Sequence, residues 1–301
     1  MAREDGTAQA TAQSISRPAK ELLHTRQTVV RVWTAFHHAC NLITAQGDII
    51  ALVTPQIGDG PRNIVLNDAP DFSAMARANT EVVSSQDRLR LDGLKVDLTH
   101  ATVWEPCPNW DALRAWHATI VAALPFLHTL CAQHPPNSIF APLLGIRTTN
   151  NRFTNAAWHR IQSALPHLDA GWEKGGPQLQ QAGRELAGLG NGSTPAGDDF
   201  MAGAMLWAWL AHPAPDDFCA NLVQAAAPRT SILAAAFLRA AARGQCNAAW
   251  HTLLDALAQN NQSKIKTTFE QIACHGATSG MDMLVGFLYF SRPNTLSNKN
   301  D

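Results

Sequence analysis

A chain that carries Gly188-Leu189-Gly190-Asn191-Gly192-Ser193-Thr194-Pro195-Ala196-Gly197-Asp198-Asp199-Phe200 is committed to a tight loop running straight into a helix. Glycines at alternate positions admit positive φ and close backbone approach, and Thr194-Pro195 reads as an N-cap followed by proline at the first helical position. From Phe200 to Leu210 the residues are apolar on nearly all sides, the pattern of a helix buried in an interior rather than lying on a surface. The only charges near its start are Asp198 and Asp199. Free amides and the helix dipole at such an end attract phosphate or carboxylate, whereas two aspartates attract a cation or serve proton transfer. A structural reading stands beside this one. Glycines make turns, and acidic residues in a first turn offset the dipole for about 0.3–1 kcal/mol. Aspartates beside a wholly apolar helix are, however, partly buried, and buried carboxylates need partners.

A second stretch echoes the first. Gly197 and Gly280, Asp199 and Asp282, and Gly203 and Gly286 are each 83 positions apart. In both copies a Thr or Ser opens the helix, an Asp follows in about the first turn, and a Gly comes four residues later, where helices pack closely. The expectation is two similar helices side by side, with their N-termini and aspartates at one pole. Ser279 and Asp282 also resemble a capping box with Asp in place of Glu, which by itself accounts for both residues. His275, just upstream, reads equally as a structural histidine. Arg229-Thr230-Ser231 opens an alanine-rich helix and places a guanidinium and two hydroxyls at its start, a set suited to phosphate, with plain N-capping as the alternative.

The segments around these motifs set the architecture. Residues 1–27 are polar and without periodicity and read as a disordered arm. Over 28–108, short β-branched runs alternate with turn signals: Thr28–Trp33, Ile49–Val53, Asn63–Leu66, Leu94–Leu98 and Thr102–Trp104, with Gly47-Asp48 as a hairpin turn and a Gly-rich loop at 57–63. From 109 to 291 the periodicity is helical, beginning with Trp110–Gln133, interrupted at Pro125, and ending with Ser279–Phe290 ahead of a polar tail at 292–301. The fold class is therefore α+β, a β-rich N-terminal domain followed by an all-α C-terminal domain that carries the Gly-rich and Asp-Asp site.

Several function classes are disfavoured. A net charge of −1 with 16% charged residues leaves no electrostatic footprint for nucleic acid or an anionic membrane. No apolar run reaches the roughly 18 residues of a membrane span, and no signal region opens the chain. Six scattered cysteines without a Cys-x-x-Cys pair argue against structural zinc and against a disulfide scaffold, so a reduced, cytoplasmic setting is expected. The nucleophile elbow, the P-loop and the His-Glu-x-x-His helix are absent, and the triple glycine follows a helix rather than a strand, which removes the dinucleotide fold.

The run Gly188 to Gly203 resembles a bacterial family catalogued as a domain of unknown function, whose named members are AllH-like subunits of oxamate carbamoyltransferase from anaerobic allantoin breakdown. Asn41, the segment Ile57–Val65, Ser231–Gly244 and His275–Asp282 extend the resemblance over about residues 28–290. Asn191 stands where the family often has proline, and Ala196 where it often has serine. The resemblance implies a cytoplasmic subunit acting with two other carbamoyltransferase subunits and moving a carbamoyl group between phosphate and oxamate. On the residues themselves, Asp198, Asp199, His275 and Asp282 are expected to carry the chemistry. Gly190, Gly192, Ser193, Thr194, Arg229, Thr230, Ser231, Thr278, Ser279 and Asn41 are expected to hold a small substrate bearing phosphate or carboxylate. Mg²⁺ between Asp199 and Asp282 is the expected compensation for clustered negative charge. A non-catalytic ligand-binding or scaffold subunit is the alternative.

Overall fold

The computed structural model describes residues 3–4, 7–24, 30–85, 87–91, 93–134, 138–146 and 152–291. The chain divides into two compact units, Met1–Pro106 with Cys246–Ala248, and Cys107–Gln245 with Ala249–Asp301.

The first unit is a closed β-barrel. Its strands are β1 (Thr7–Ser16), β2 (Val30–Ala35), β3 (Ala39–Thr44), β4 (Ile49–Val53), β5 (Asn63–Leu66), β6 (Glu81–Ser85), β7 (Arg88–Leu91) and β8 (Leu94–Asp97). They run in the order β1-β5-β4-β3-β2-β6-β7-β8, and β8 pairs in parallel with β1 through Ala8↔Leu94 to Thr11↔Asp97, which closes the ring. Long β1 makes this possible: its first half pairs with β8, and its second half pairs with β5 and with the short strand Thr102–Trp104. Leu42, Ile50, Leu52, Ile64, Leu66 and Leu89 fill the interior. Gly47, at φ +84°, makes the turn between the antiparallel β3 and β4.

The expected N-terminal arm is corrected here. Residues 7–24 form β1 and the helix Arg17–His24, while residues 1–2, 5–6 and 25–29 lie outside the described set, as does the start of the strand expected from Thr28. Alternation is in fact present, with Ala8, Ala10 and Ala12 inward and Gln9, Thr11 and Gln13 outward. Alanine supplies little apolar contrast and little β-propensity, so the period of two was hidden until pairing on both sides supplied the stabilisation. β3, β6 and β7 were not anticipated either.

The second unit is helical: Trp110–Ala115, His117–Gln133, Arg152–Lys174, Gly176–Leu186, Ala196–Ala211, Pro215–Ala226, Ile232–Ala241, Ala248–Ala258, Gln262–Ala273 and Ser279–Tyr289. Pro125 does not interrupt its helix as expected but sits inside His117–Gln133, and Pro166 likewise lies inside Arg152–Lys174. The Ala196–Ala211 helix is the hub. Phe200, Met201, Ala204, Met205, Leu206 and Ala208 are fully buried, and helices Ser279–Tyr289, Ile232–Ala241, Pro215–Ala226 and Gly176–Leu186 surround it. At about 1.5–3 kcal/mol for each large buried side chain, this helix is the main anchor of the unit.

The Ser279–Tyr289 helix packs most intimately on the hub, and glycine is the reason. A Cβ on Gly203 would lie 1.9 Å from the Met283 carbonyl oxygen, and one on Gly286 would lie 1.9 Å from that of Phe200. Met283 and Phe200 are themselves 83 positions apart, so the contact is reciprocal and relates the two helices by a local two-fold. The Thr194 and Ser279 hydroxyls, 3.0 Å apart, show that the two N-termini converge.

Candidate functional site

The loop from Gly188 to Pro195 stands over this convergent pole. Gly190 has φ +118°, and a Cβ there would meet the Ala196 amide nitrogen at 2.8 Å, so only glycine lets the loop lie this close to the helix start. Asn191, Gly192 and Ser193 are exposed at the tip, while Asp198 and Asp282 beneath are 2% and 0% exposed.

Hydroxyls surround the carboxylates. Asp198 Oδ2 accepts from Thr230 Oγ1 at 2.5 Å and from the Gly188 amide at 3.2 Å. Asp199 is hydrogen-bonded by the Ser279 and Thr194 side chains, and Asp282 by those of Ser138 and Thr278, with Ser138 Oγ 2.5 Å from Asp282 Oδ1. Ser231 caps its own helix by accepting from the Ala234 amide at 3.0 Å and donates to the Ser193 carbonyl at 2.5 Å, tying the 230–231 turn to the glycine loop. Each carboxylate nevertheless keeps one oxygen, Asp198 Oδ1, Asp199 Oδ2 and Asp282 Oδ2, buried with no hydrogen-bond partner among the described residues. An unmade buried hydrogen bond costs about 1–3 kcal/mol, more for a charged group, and three in one place demand an explanation.

Burial raises the pKa of all three. Loss of water pushes Asp198 up to about 6, against the Thr230 hydroxyl, the Gly188 amide and the Arg160 charge, which favour ionisation. Asp199 is pushed to about 8, first by burial and then by the negative charges of Asp282 and Asp198, against the Ser279 and Thr194 hydroxyls. Burial takes Asp282 to about 7 against Ser138 and Thr278. Burial and mutual repulsion therefore favour the protonated form, Asp199 most strongly, and bring these carboxyls toward the neutral range where proton exchange is useful.

Of the expected residues, Gly190, Gly192, Ser193, Thr194, Asp198, Asp199, Thr230, Ser231, Thr278, Ser279 and Asp282 belong to this loop and these helix starts. Two capping assignments are corrected. Pro195 and Thr278, not Thr194 and Ser279, are the N-caps, and neither makes a side-chain capping bond. The hydroxyls of Thr194 and Ser279 are turned to Asp199, and Asp282 is held by Ser138 and Thr278 instead of closing a capping box. Arg229 is exposed and contributes only its carbonyl near Gly188; the cation acting on Asp198 is Arg160, which also donates to the Ala187 carbonyl at 3.0 Å. His275 is exposed as a residue, although the protein around its imidazole holds its pKa below the usual histidine value. Asn41 belongs to the barrel, buried within β3, where it donates to Thr34 Oγ1 at 2.9 Å. Ser138 and Arg160 were not anticipated, because a lone serine and an arginine on an amphipathic helix carry no local signal. Among the described residues no group of three His, Cys, Asp or Glu side chains could hold a metal ion.

The sequence model described as oxamate carbamoyltransferase subunit AllH matches residues 186–291, and that of the AllH family N-terminal domain matches residues 11–103. The chain belongs to the AllH family. No curated protein matches it, and no solved structure matches it. In this AllH-family chain the N-terminal-domain match begins inside β1, in agreement with an ordered N-terminal strand, and the match over 186–291 spans the glycine loop, all three aspartates and the 230–231 turn. Segment 104–185, which lies between the two matches, supplies Ser138 and Arg160. All six cysteines are free, and among the described residues no helix is long and apolar enough to cross a membrane.

Proposed function

We propose that this chain is the subunit of a cytoplasmic carbamoyltransferase in which carbamoyl transfer between phosphate and an oxamate-type amide takes place at the Asp198–Asp199–Asp282 pole. The observation that carries the reading is the set of three buried carboxylate oxygens without partners, two of them on aspartates related by the local two-fold. A carboxylate oxygen lacking a donor suits an N–H group, and both partners of the reaction carry one: the carbamoyl NH₂ and the amide of the acceptor. Phosphate is repelled by the same carboxylates. It is assigned instead to the exposed amides of the Gly190–Ser193 loop tip, assisted by the Thr230 and Ser231 turn.

In the synthetic direction the acceptor amide nitrogen attacks the carbamoyl carbon, the new C–N bond forms, and the C–O bond to phosphate breaks. The amide proton passes to Asp199, whose elevated pKa suits a base that must also return a proton near neutral pH. Loop amides stabilise the tetrahedral oxyanion. Phosphorolysis of the carbamoylated product is the reverse of these steps. Two further subunits complete the assembly, and Mg²⁺ carried in with the phosphate substrate is proposed as a counter-charge to Asp199 and Asp282.

The test is calorimetric titration of the purified chain with carbamoyl phosphate, alone and with its partner subunits, followed by an assay of phosphate release with oxamate. Heat and turnover support the reading. Absence of heat with carbamoyl phosphate and with inorganic phosphate in both settings overturns it, and binding without turnover in the full assembly favours a ligand-binding subunit.

A further inference from the structure

Asp282 is fully buried on the Ser279–Tyr289 helix, and what orients it comes from a distant part of the chain. Ser138 is itself 2% exposed, and its Oγ lies 2.5 Å from Asp282 Oδ1. The Phe140 amide donates to the same Oγ at 3.0 Å. A serine hydroxyl has one hydrogen; with its oxygen accepting from Phe140, that hydrogen is directed at the carboxylate. Phe140 is fully buried and stacks on Phe200 with ring centroids 4.3 Å apart and planes at 9°, and Phe200 directly follows Asp199. The segment that holds Asp282 is thus clamped to the helix that carries the other aspartate.

We propose that Ser138 is a positioning residue of the carboxylate pole: by occupying Oδ1 of Asp282 it fixes the rotamer and leaves Oδ2 as the acceptor for a ligand N–H. The assignment rests on the carbamoyl-transfer reading for the identity of that ligand, but the geometry stands independently of it. Residue 138 lies outside both family matches, so the pole is incomplete without the intervening segment. The local two-fold sharpens the argument. Asp199 receives its hydroxyls from Thr194 and Ser279, which belong to the two related helix starts, whereas Asp282 receives Thr278 from its own helix start and Ser138 from outside the repeat. Ser138 is therefore the element that makes the two half-sites chemically equivalent, each with two hydroxyl donors and one oxygen left over.

The experiment is a double-variant cycle on the full chain. Ser138→Ala and Ser138→Thr are made alone and together with Asp282→Ala, with Asp282→Leu in its place if the cavity prevents folding. Turnover of carbamoyl phosphate with oxamate is measured in the assembly with partner subunits, and thermal unfolding is measured on the chain alone. Ser138→Ala is expected to lower kcat roughly 10- to 100-fold, the scale of a misplaced catalytic group, with KM changed by less than about threefold and most of the rate restored by Ser138→Thr. Its effect on Tm is expected to vanish once Asp282 is absent, because nothing remains for the hydroxyl to orient. An equal Tm loss in both backgrounds, or an unchanged kcat in Ser138→Ala, overturns the proposal and leaves Ser138 as a fastener of its own segment. If the parent assembly shows no transfer at all, the carbamoyl-transfer reading fails by itself. The Tm cycle then decides Ser138: coupling to Asp282 supports the positioning role, and additivity overturns it.

Discussion

Four buried polar side chains of the barrel and three aspartates of the helical unit differ in how their hydrogen bonds are met. In the barrel, buried Ser14 is bonded to Asp59, Ser16 to the Pro61 carbonyl, Asn41 to Thr34 and Thr44 to the Asp48 amide, so these groups stabilise the unit that contains them. In the helical unit Asp198, Asp199 and Asp282 each keep one buried carboxylate oxygen without a partner among the described residues. A protein bears such a cost where something other than stability is selected, and the contrast separates polar groups that hold a fold from those held by it.

The largest expected effect strikes the unsatisfied pole. Asp199→Asn removes the proposed base and is expected to lower carbamoyl transfer by about 10³-fold or more while circular dichroism and cooperative unfolding persist. A variant that unfolds, yet turns over normally per folded molecule, would place Asp199 among the groups that hold the fold. Next in size is the close contact that brings the aspartates together. Gly286→Ala puts a methyl group where the Phe200 carbonyl oxygen lies 1.9 Å away, and helix separation is expected to cost about 3 kcal/mol in denaturant unfolding, with activity lost alongside.

Stability is expected to depend on pH in a direction opposite to that of a paired carboxylate. The folded-state pKa values of Asp198, Asp199 and Asp282 are raised above the ordinary 3.8, so the native state retains protons that the unfolded chain has already released. Stability conferred by the protonated pole is present below about pH 4 and is lost as pH rises toward about 8, by on the order of a few kcal/mol. Asp199→Asn flattens this slope and raises Tm at pH 8; a Tm difference between parent and variant that stays constant from pH 5 to pH 8 would show that Asp199 carries no shifted proton. The smallest effect belongs to the barrel. Asn41→Ala is expected to cost about 1 kcal/mol through the loss of its bond to Thr34 and to leave KM for oxamate unchanged, whereas a tenfold rise in KM would assign Asn41 to substrate binding.

Much of this was readable along the chain because it depends on near neighbours. The apolar run after Phe200, the strands Ile49–Val53 and Asn63–Leu66 with Gly47 near them, and the helix beginning at Ser279 all declare themselves through period, propensity and turn residues. The 83-residue echo of Gly-x-Asp-x₃-Gly already contained the paired helices, since a glycine within a helix marks a place where another backbone comes near. β1 escaped because alternating alanines give a faint signal that becomes a strand only when flanking strands pair with it.

The sequence by itself determined the α+β order, the buried hub helix and the convergence of Asp199 with Asp282, because each follows from local periodicity or from residues that a close contact obliges to be small. Tertiary structure alone decided that Thr194 and Ser279 leave their capping role for Asp199, that Arg160 rather than Arg229 faces Asp198, and that Ser138 holds Asp282 from 144 positions away. A hydroxyl or a guanidinium serves equally well as a cap, a surface group or a site residue, and only the completed packing, by removing water from three carboxylates, makes one of those bonds worth more than the others.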